Sequence, residues 1–199
     1  MREFIYYSQH AHTTGNFDDL MKAGRMDIAC HIVISAFFLS HALRDDVKLH
    51  LVFAGPPDPT KHIEMLPKKA LLESDEQKRV DISKKDSGGL IKRILFKYRR
   101  GEKREAFPGY WIEKKNIYEV LNELIKEGKT IYVLDKAGED IRNIKIADNP
   151  VFLLGDHAGL PGKEFKRIKS MAIPVSIGSK MYFASQVVAI VNNELDRRG

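Results

Sequence analysis

The 199-residue chain has one cysteine, Cys30. A lone thiol closes no intrachain disulfide, which suits a reducing compartment, and it cannot build a cysteine-based zinc centre. Cys30 lies in CHIVISAFFL and reads as a small buried hydrophobe rather than a nucleophile. The seven histidines show no HExxH spacing. His10 and His12, two apart, suit a surface strand-to-loop segment better than a metal site, so no metal is expected. No apolar run reaches the roughly 18 residues of a membrane span. The start, MREFIYYSQHAHTT, lacks the apolar region and small-residue cleavage site of a secretory leader. A cytoplasmic protein without membrane contact is expected.

The familiar phosphate and nucleophile signatures are missing too. FLLGDHAGLPGKE, residues 152–164, ends like a phosphate loop at Gly162-Lys163. The spacing would require glycine at His157, and Ser or Thr at Glu164. Neither is there. G-x-G-x-x-G and G-x-S-x-G are also absent. These absences argue against a P-loop ATPase, a standard Rossmann dehydrogenase and an α/β-hydrolase.

The formal net charge of +6 favours an acidic partner, nucleic acid above all. It is shared with an alternative, since 30% charged residues rich in Lys and Glu also mark heat-adapted surfaces. The last 85 or so residues alternate regularly. IYEVLNELIKEG reads as an amphipathic helix, TIYVLD and PVFLL as strands, GKEFKRIKSMA as a helix, IPVSIG as a strand and YFASQVVAIVNNELDRR as a terminal helix. Upstream, FIYYS and KLHLVFAG read as strands, and residues 27–43 as a buried helix with Asp27 near its N-cap. The prolines of GPPDPTKH imply a rigid loop after a strand. Short apolar strands separated by helices predict an α/β fold, a parallel sheet with helices on both faces. One domain spans residues 1–199, with a basic insertion at about 68–115. In it LIKRILFKYRR reads as a basic amphipathic helix, and GEKREAFPGYW as a loop leading into a short edge strand.

In open α/β sheets ligands bind beyond the carboxyl ends of the strands. Three successive strands here end in glycine-containing segments, Asp135–Asp140, Gly155–Pro161 and Gly178–Tyr182. Side by side they would expose backbone N–H and C=O groups to a purine edge, between apolar strand ends. Each alone could equally be an ordinary turn.

VLDKAGED, FLLGDHAGLP and PVSIGSKMYFAS resemble the last three cofactor-loop motifs of the SPOUT methyltransferases. HTTGNFDDLMKAGRMDI and AGPPDPTKHIEM are similar to the tRNA (pseudouridine-54 N1)-methyltransferase family, TrmY, within that superfamily. The resemblance spans nearly the whole chain. It implies a C-terminal deep trefoil knot, S-adenosylmethionine as methyl donor, and methylation of pseudouridine N1 in the T-loop of tRNA. Ribosomal RNA as substrate, or a non-catalytic RNA-binding role, are the alternatives. It places the cofactor against Leu134, Leu154, Gly155, Gly159, Ile177, Gly178 and Met181, and requires no metal.

Removal of the N1 proton suits a carboxylate. The candidates are Asp27, which could instead cap a helix, and Asp58, which could instead accept in an Asx-turn. Arg25, Lys61, Arg93, Arg99 and Arg100 are candidate RNA contacts. The last three lie in residues 92–104, KRILFKYRRGEKR, where seven Lys/Arg meet one Glu with Phe96 and Tyr98 between. A solvated charged face is the plain alternative. YFASQVVAIVNNEL is apolar on more than one face, which fits the two-fold homodimer that the resemblance implies.

Overall fold

A computed structural model describes residues 1–67, 82–83 and 86–198, and of Glu164 the backbone alone. Eight strands form a single sheet. They are β1 (Arg2–Ser8), β2 (Val47–Phe53), β3 (Lys61–Met65), β4 (Arg104–Phe107), β5 (Tyr110–Glu113), β6 (Thr130–Asp140), β7 (Pro150–Gly155) and β8 (Ile173–Ser176). Their spatial order is β4-β5-β3-β2-β1-β7-β6-β8. The pairs β2–β1, β1–β7, β7–β6 and β6–β8 are parallel. The pairs β2–β3, β3–β5 and β5–β4 are antiparallel. The parallel sheet expected from the sequence is therefore one half of a mixed sheet. The remainder starts at Lys61-His62, read as the end of a rigid loop but forming the first residues of β3.

Among the described residues the α-helices are α1 (Met26–Phe37), α2 (Ser87–Phe96), α3 (Ile117–Lys126), α4 (Gly162–Lys169) and α5 (Ala184–Asp196). They cover both faces, and strand alternation decides which side chain meets which layer. Phe4, Tyr6, Phe152 and Leu154 point into the core shared with α1, α2 and α5. Ile5, Tyr7, Val151 and Leu153 point into a second core with α3 and α4. The α2 helix of the basic segment buries Leu90, Ile91, Ile94 and Leu95 in the first core, so this part of residues 68–115 is knitted into the main body. The calls on residues 68–81 and 84–85 lie outside the described residues.

Two helices show how local chemistry sets the boundaries. Asn116 caps α3 by accepting from the backbone N–H groups of Tyr118 and Glu119, and Glu119 returns the bond to Asn116 N. That capping box starts a helix whose buried residues, Ile117, Val120, Leu121 and Leu124, follow i, i+3, i+4, i+7 spacing. Leu121→Ala there would cost ~2–5 kcal/mol.

The α1 helix begins differently. Gly24 and Arg25 are both left-handed, φ 69° and 62°, and no side chain caps the helix. Asp27 sits in the first turn rather than at the N-cap, where its charge still favours the helix dipole. The helix also stops at Phe37, short of the predicted 43, because Phe38 turns extended and bridges to Leu43. Among the described residues no helix is long and apolar enough to cross a membrane.

Candidate functional site

Because β1, β2, β6, β7 and β8 run parallel, their carboxyl ends share one edge of the sheet. The segment after β1 is the hub of that edge. On one side Thr13 N donates to Pro56 O at 3.0 Å, the Thr13 hydroxyl to Gly55 O at 3.2 Å, and Asp58 N to the Thr13 hydroxyl at 3.0 Å. On the other side Asp156, after β7, accepts from the Ser8 hydroxyl (3.1 Å), Gln9 N (3.1 Å) and His10 Nδ1 (3.0 Å) through Oδ2. Its Oδ1 accepts from Ala158 N at 2.9 Å. Burial works against this carboxylate, but the bonds from His10, Ala158, Ser8 and Gln9 outweigh it and hold its pKa below the usual range. Three loops far apart in sequence are thus bonded into one rim.

Leu134 within β6, Leu154 near the end of β7 and Ile177 just beyond β8 pack against the α1-side core. Leu154 is buried, and Leu134 and Ile177 are half-buried. Gly155 lies against the turn it opens, where a Cβ would stand 2.6 Å from the Gly159 carbonyl carbon. Gly159 and Gly178 have φ of 77° and 122°, and a Cβ at either would meet nothing within 4 Å. No neighbour fills the space beside either glycine, which leaves room for a ligand to approach the backbone there. The Ser176 hydroxyl and Gly178 bond each other's backbone and side chain at 3.2 Å, fixing the last loop's first turn. Met181 stands 91% exposed beside Tyr182 and Phe183, also exposed.

Asp135–Asp140 is not the free turn read from the sequence. β6 continues through it. The strand bulges between Leu134 and Glu139, which both pair with Val175, and Asp140 then pairs with Ser176. Gly138 makes the close return possible, since a Cβ there would lie 2.5 Å from Val175 N. Asp135 forms an ion pair with Lys169 of α4.

The two candidate carboxylates sit on the same carboxyl edge in different electrostatic settings. Asp27 receives a two-pronged bond from Arg25, Nε to Oδ1 and Nη2 to Oδ2, each at 3.0 Å. The Arg25 bond lowers the Asp27 pKa, and both side chains remain partly exposed. Asp58 is held by Lys114 and by Lys61, the latter at 2.7 Å, and together they pull its pKa down to about 2. Both acids are ionised at neutral pH and able to accept a proton, Asp58 more weakly.

Lys61 was read as an RNA contact, but its side chain is 1% exposed. Its ammonium is occupied by Asp58 and stacks 4.2 Å from the Tyr98 ring centroid, so it positions Asp58 rather than reaching solvent. Arg93, Arg99 and Arg100 are exposed, as an RNA surface requires. Cys30 is buried, and desolvation pushes its thiol up to about 11, which keeps it protonated.

Three participants escaped the sequence reading. Thr13, Asp156 and Lys114 act through bonds to residues between about 40 and 150 positions away, visible only in the fold. A fourth, Tyr6, is fully buried with its hydroxyl lacking a hydrogen-bond partner. Burial raises its pKa, and the charges of Asp156 and Asp27 add to the rise.

The whole chain, residues 1–199, matches the family described as "Putative SAM-dependent RNA methyltransferase". It is 37% identical to the tRNA (pseudouridine(54)-N(1))-methyltransferase of Methanococcoides burtonii, over 99% of this chain and 96% of the relative. It is 36% identical to the protein of the same name from Pyrococcus abyssi, over 100% and 99%. Among solved structures it is similar to Archaeoglobus fulgidus Nep1 bound to S-adenosylhomocysteine, with a TM-score of 0.54 and 17% identity over 92% of this chain and 74% of that one. At that identity the likeness shows a shared fold.

Proposed function

Given that the chain belongs to the SAM-dependent RNA methyltransferase family of these relatives, we propose that it methylates N1 of pseudouridine 54 in tRNA. The observation that carries the reading is full-length identity of 35–37% to relatives bearing that name. The match covers 99–100% of this chain and 96–99% of those two relatives.

S-adenosylmethionine, when bound, supplies a methyl group on a sulfonium that an incoming nitrogen displaces in line. The chain's own residues do the rest. Leu134, Leu154 and Ile177 offer apolar walls, and Gly155, Gly159 and Gly178 offer main-chain donors and acceptors. Met181, exposed in the last loop, would touch the cofactor. The hub through Thr13 and Asp156 keeps these loops in register with Asp27 and Asp58, and such alignment is worth several kcal/mol. Asp27 takes the N1 proton, and Arg25 orients that carboxylate or the base. The target base must leave its stack to reach the site, which a loop nucleotide does at low cost. Arg93, Arg99 and Arg100 contact phosphates.

The same reading makes the C-terminal segment a trefoil knot and the protein a cytoplasmic homodimer. Exposed Met181, Tyr182 and Phe183, just before α5, support the dimer. It also leaves the basic segment 68–115 as the part of a single domain that faces RNA.

Purified protein is expected to transfer radiolabelled methyl groups to tRNA carrying pseudouridine 54 and not to the same tRNA with uridine there, because uridine N1 is bonded to the sugar. Transfer to a ribosomal helix but not to that tRNA would sink the substrate assignment. Absence of S-adenosylmethionine binding by calorimetry would sink the reaction.

A further inference from the structure

His10, Asp156 and His157 meet at the base of the glycine loop after β7, although 146 residues separate the first from the second. One ligand atom from each lies within 4.8 Å of the others. His10 Nδ1 and Asp156 Oδ2 are 3.0 Å apart, and the two imidazole rings stand 5.3 Å apart between centroids. We propose that these three side chains form a binding site for a divalent transition ion of the zinc class.

The donor set is two imidazoles and one carboxylate, which suits Zn²⁺, Co²⁺ or Ni²⁺ and not a hard cation such as Mg²⁺. The spacing fits. Ligand atoms about 2.0–2.1 Å from an ion in tetrahedral array lie roughly 3.3 Å from one another, close to the His10–Asp156 separation.

The anchor of the site is already ordered. The Asp156 side chain is 1% exposed and fixed by Ser8, Gln9 and Ala158, so its carboxylate loses little freedom on binding. These backbone and hydroxyl donors also supply the supporting bonds that orient a metal-ligating carboxylate. His157 is the next residue, held in a turn closed by Gly159 N donating to Asp156 O at 2.8 Å. The His10 ring is 51% exposed, which leaves an entry path for the ion. On binding, His10 Nδ1 exchanges its proton for the ion, and the proton leaves to solvent.

The consequence is a clamp. The segment after β1 and the loop holding Gly155 and Gly159 would be joined by coordination as well as by hydrogen bonds. His12, which the sequence pairs with His10, takes no part in the cluster.

The test uses the full, tag-free chain after treatment with a chelator. Co²⁺ is titrated in and visible absorption recorded, without cofactor or RNA, so the outcome is independent of the methyltransferase reading. The expected result is a saturable band at one ion per chain, displaced by Zn²⁺ and indifferent to excess Mg²⁺. His10→Ala and His157→Ala should each weaken binding at least tenfold, and His12→Ala should leave it unchanged. Circular dichroism verifies that the variants are folded. No band in the folded parent, or binding retained in both His10→Ala and His157→Ala, overturns the proposal.

Discussion

His50 Nδ1 and His62 Nε2 lie 2.9 Å apart inside the sheet, and both residues are 2% exposed. The far nitrogens face carboxylates, His50 Nε2 to Glu3 at 2.9 Å and His62 Nδ1 to Glu113 at 3.0 Å. With Lys129 beside Glu3 and Lys115 beside Glu113, the row runs across β1, β2, β3 and β5 with two carboxylates matched by two ammonium groups at its ends. Burial drives the His62 pKa down to about 4, against the pull of Glu113.

Acid should unfold the protein through this row. Burial pushes the Glu3 carboxyl up, but His50 and Lys129 outweigh it and bring it to about 2, and Glu113 reaches about 2 by bonds from His62 and Lys115. Carboxyls lowered on folding contribute stability that is complete above their unfolded pKa and lost as pH falls through the folded one. Burial also keeps His62 neutral down to about 4, so urea unfolding should show stability declining from about pH 6.5, where unfolded histidine takes up a proton, and on through pH 4.5 toward pH 2. Glu3→Gln should lose about 3 kcal/mol at pH 7 and flatten that decline.

Gly178→Ala separates backbone strain from ligand crowding. The added Cβ meets no neighbour, so the folded chain pays only the left-handed penalty of ~1–2 kcal/mol. Calorimetry should nevertheless show S-adenosylmethionine affinity falling at least tenfold. An unchanged affinity would remove this loop from the cofactor site.

The two acids should differ in their effect on rate. Asp27→Asn is expected to reduce single-turnover methyl transfer by about 10²-fold to 10⁴-fold with cofactor affinity intact. Asp58→Asn should cost less, because two ammonium groups already hold that carboxylate near 2. A larger loss at Asp58 would reverse the assignment.

Lysine and arginine in the basic half should behave oppositely. Arg99→Ala and Arg100→Ala should each lower the slope of log affinity for tRNA against log salt by about one, without loss of stability. Lys61→Met should leave the slope alone and destabilise the fold by ~1–3 kcal/mol, because it strips a partner from Asp58 and a cation from the Tyr98 ring.

Much of this was legible in the sequence because it is periodic and local. The apolar runs FIYYS and PVFLL became β1 and β7, and IYEVLNELIK became α3 with its cap. The failures are where a partner decides. Lys61 and His62 follow three prolines and read as loop, yet pairing with β2 makes them strand. VLDKAGED carries turn residues, yet β8 draws both of its ends into the sheet.

By itself, the sequence determined the alternating strands and helices, the glycines at the strand ends and the surplus of positive charge, since each depends on residues within a few positions. Only the tertiary structure decided which charges are free. Lys61 and Arg99 are both basic residues in the primary structure, and the fold buries one against Asp58 while leaving the other exposed. It likewise brought His10 to Asp156 and His50 to His62. Such contacts depend on strand order and register, which no local pattern encodes.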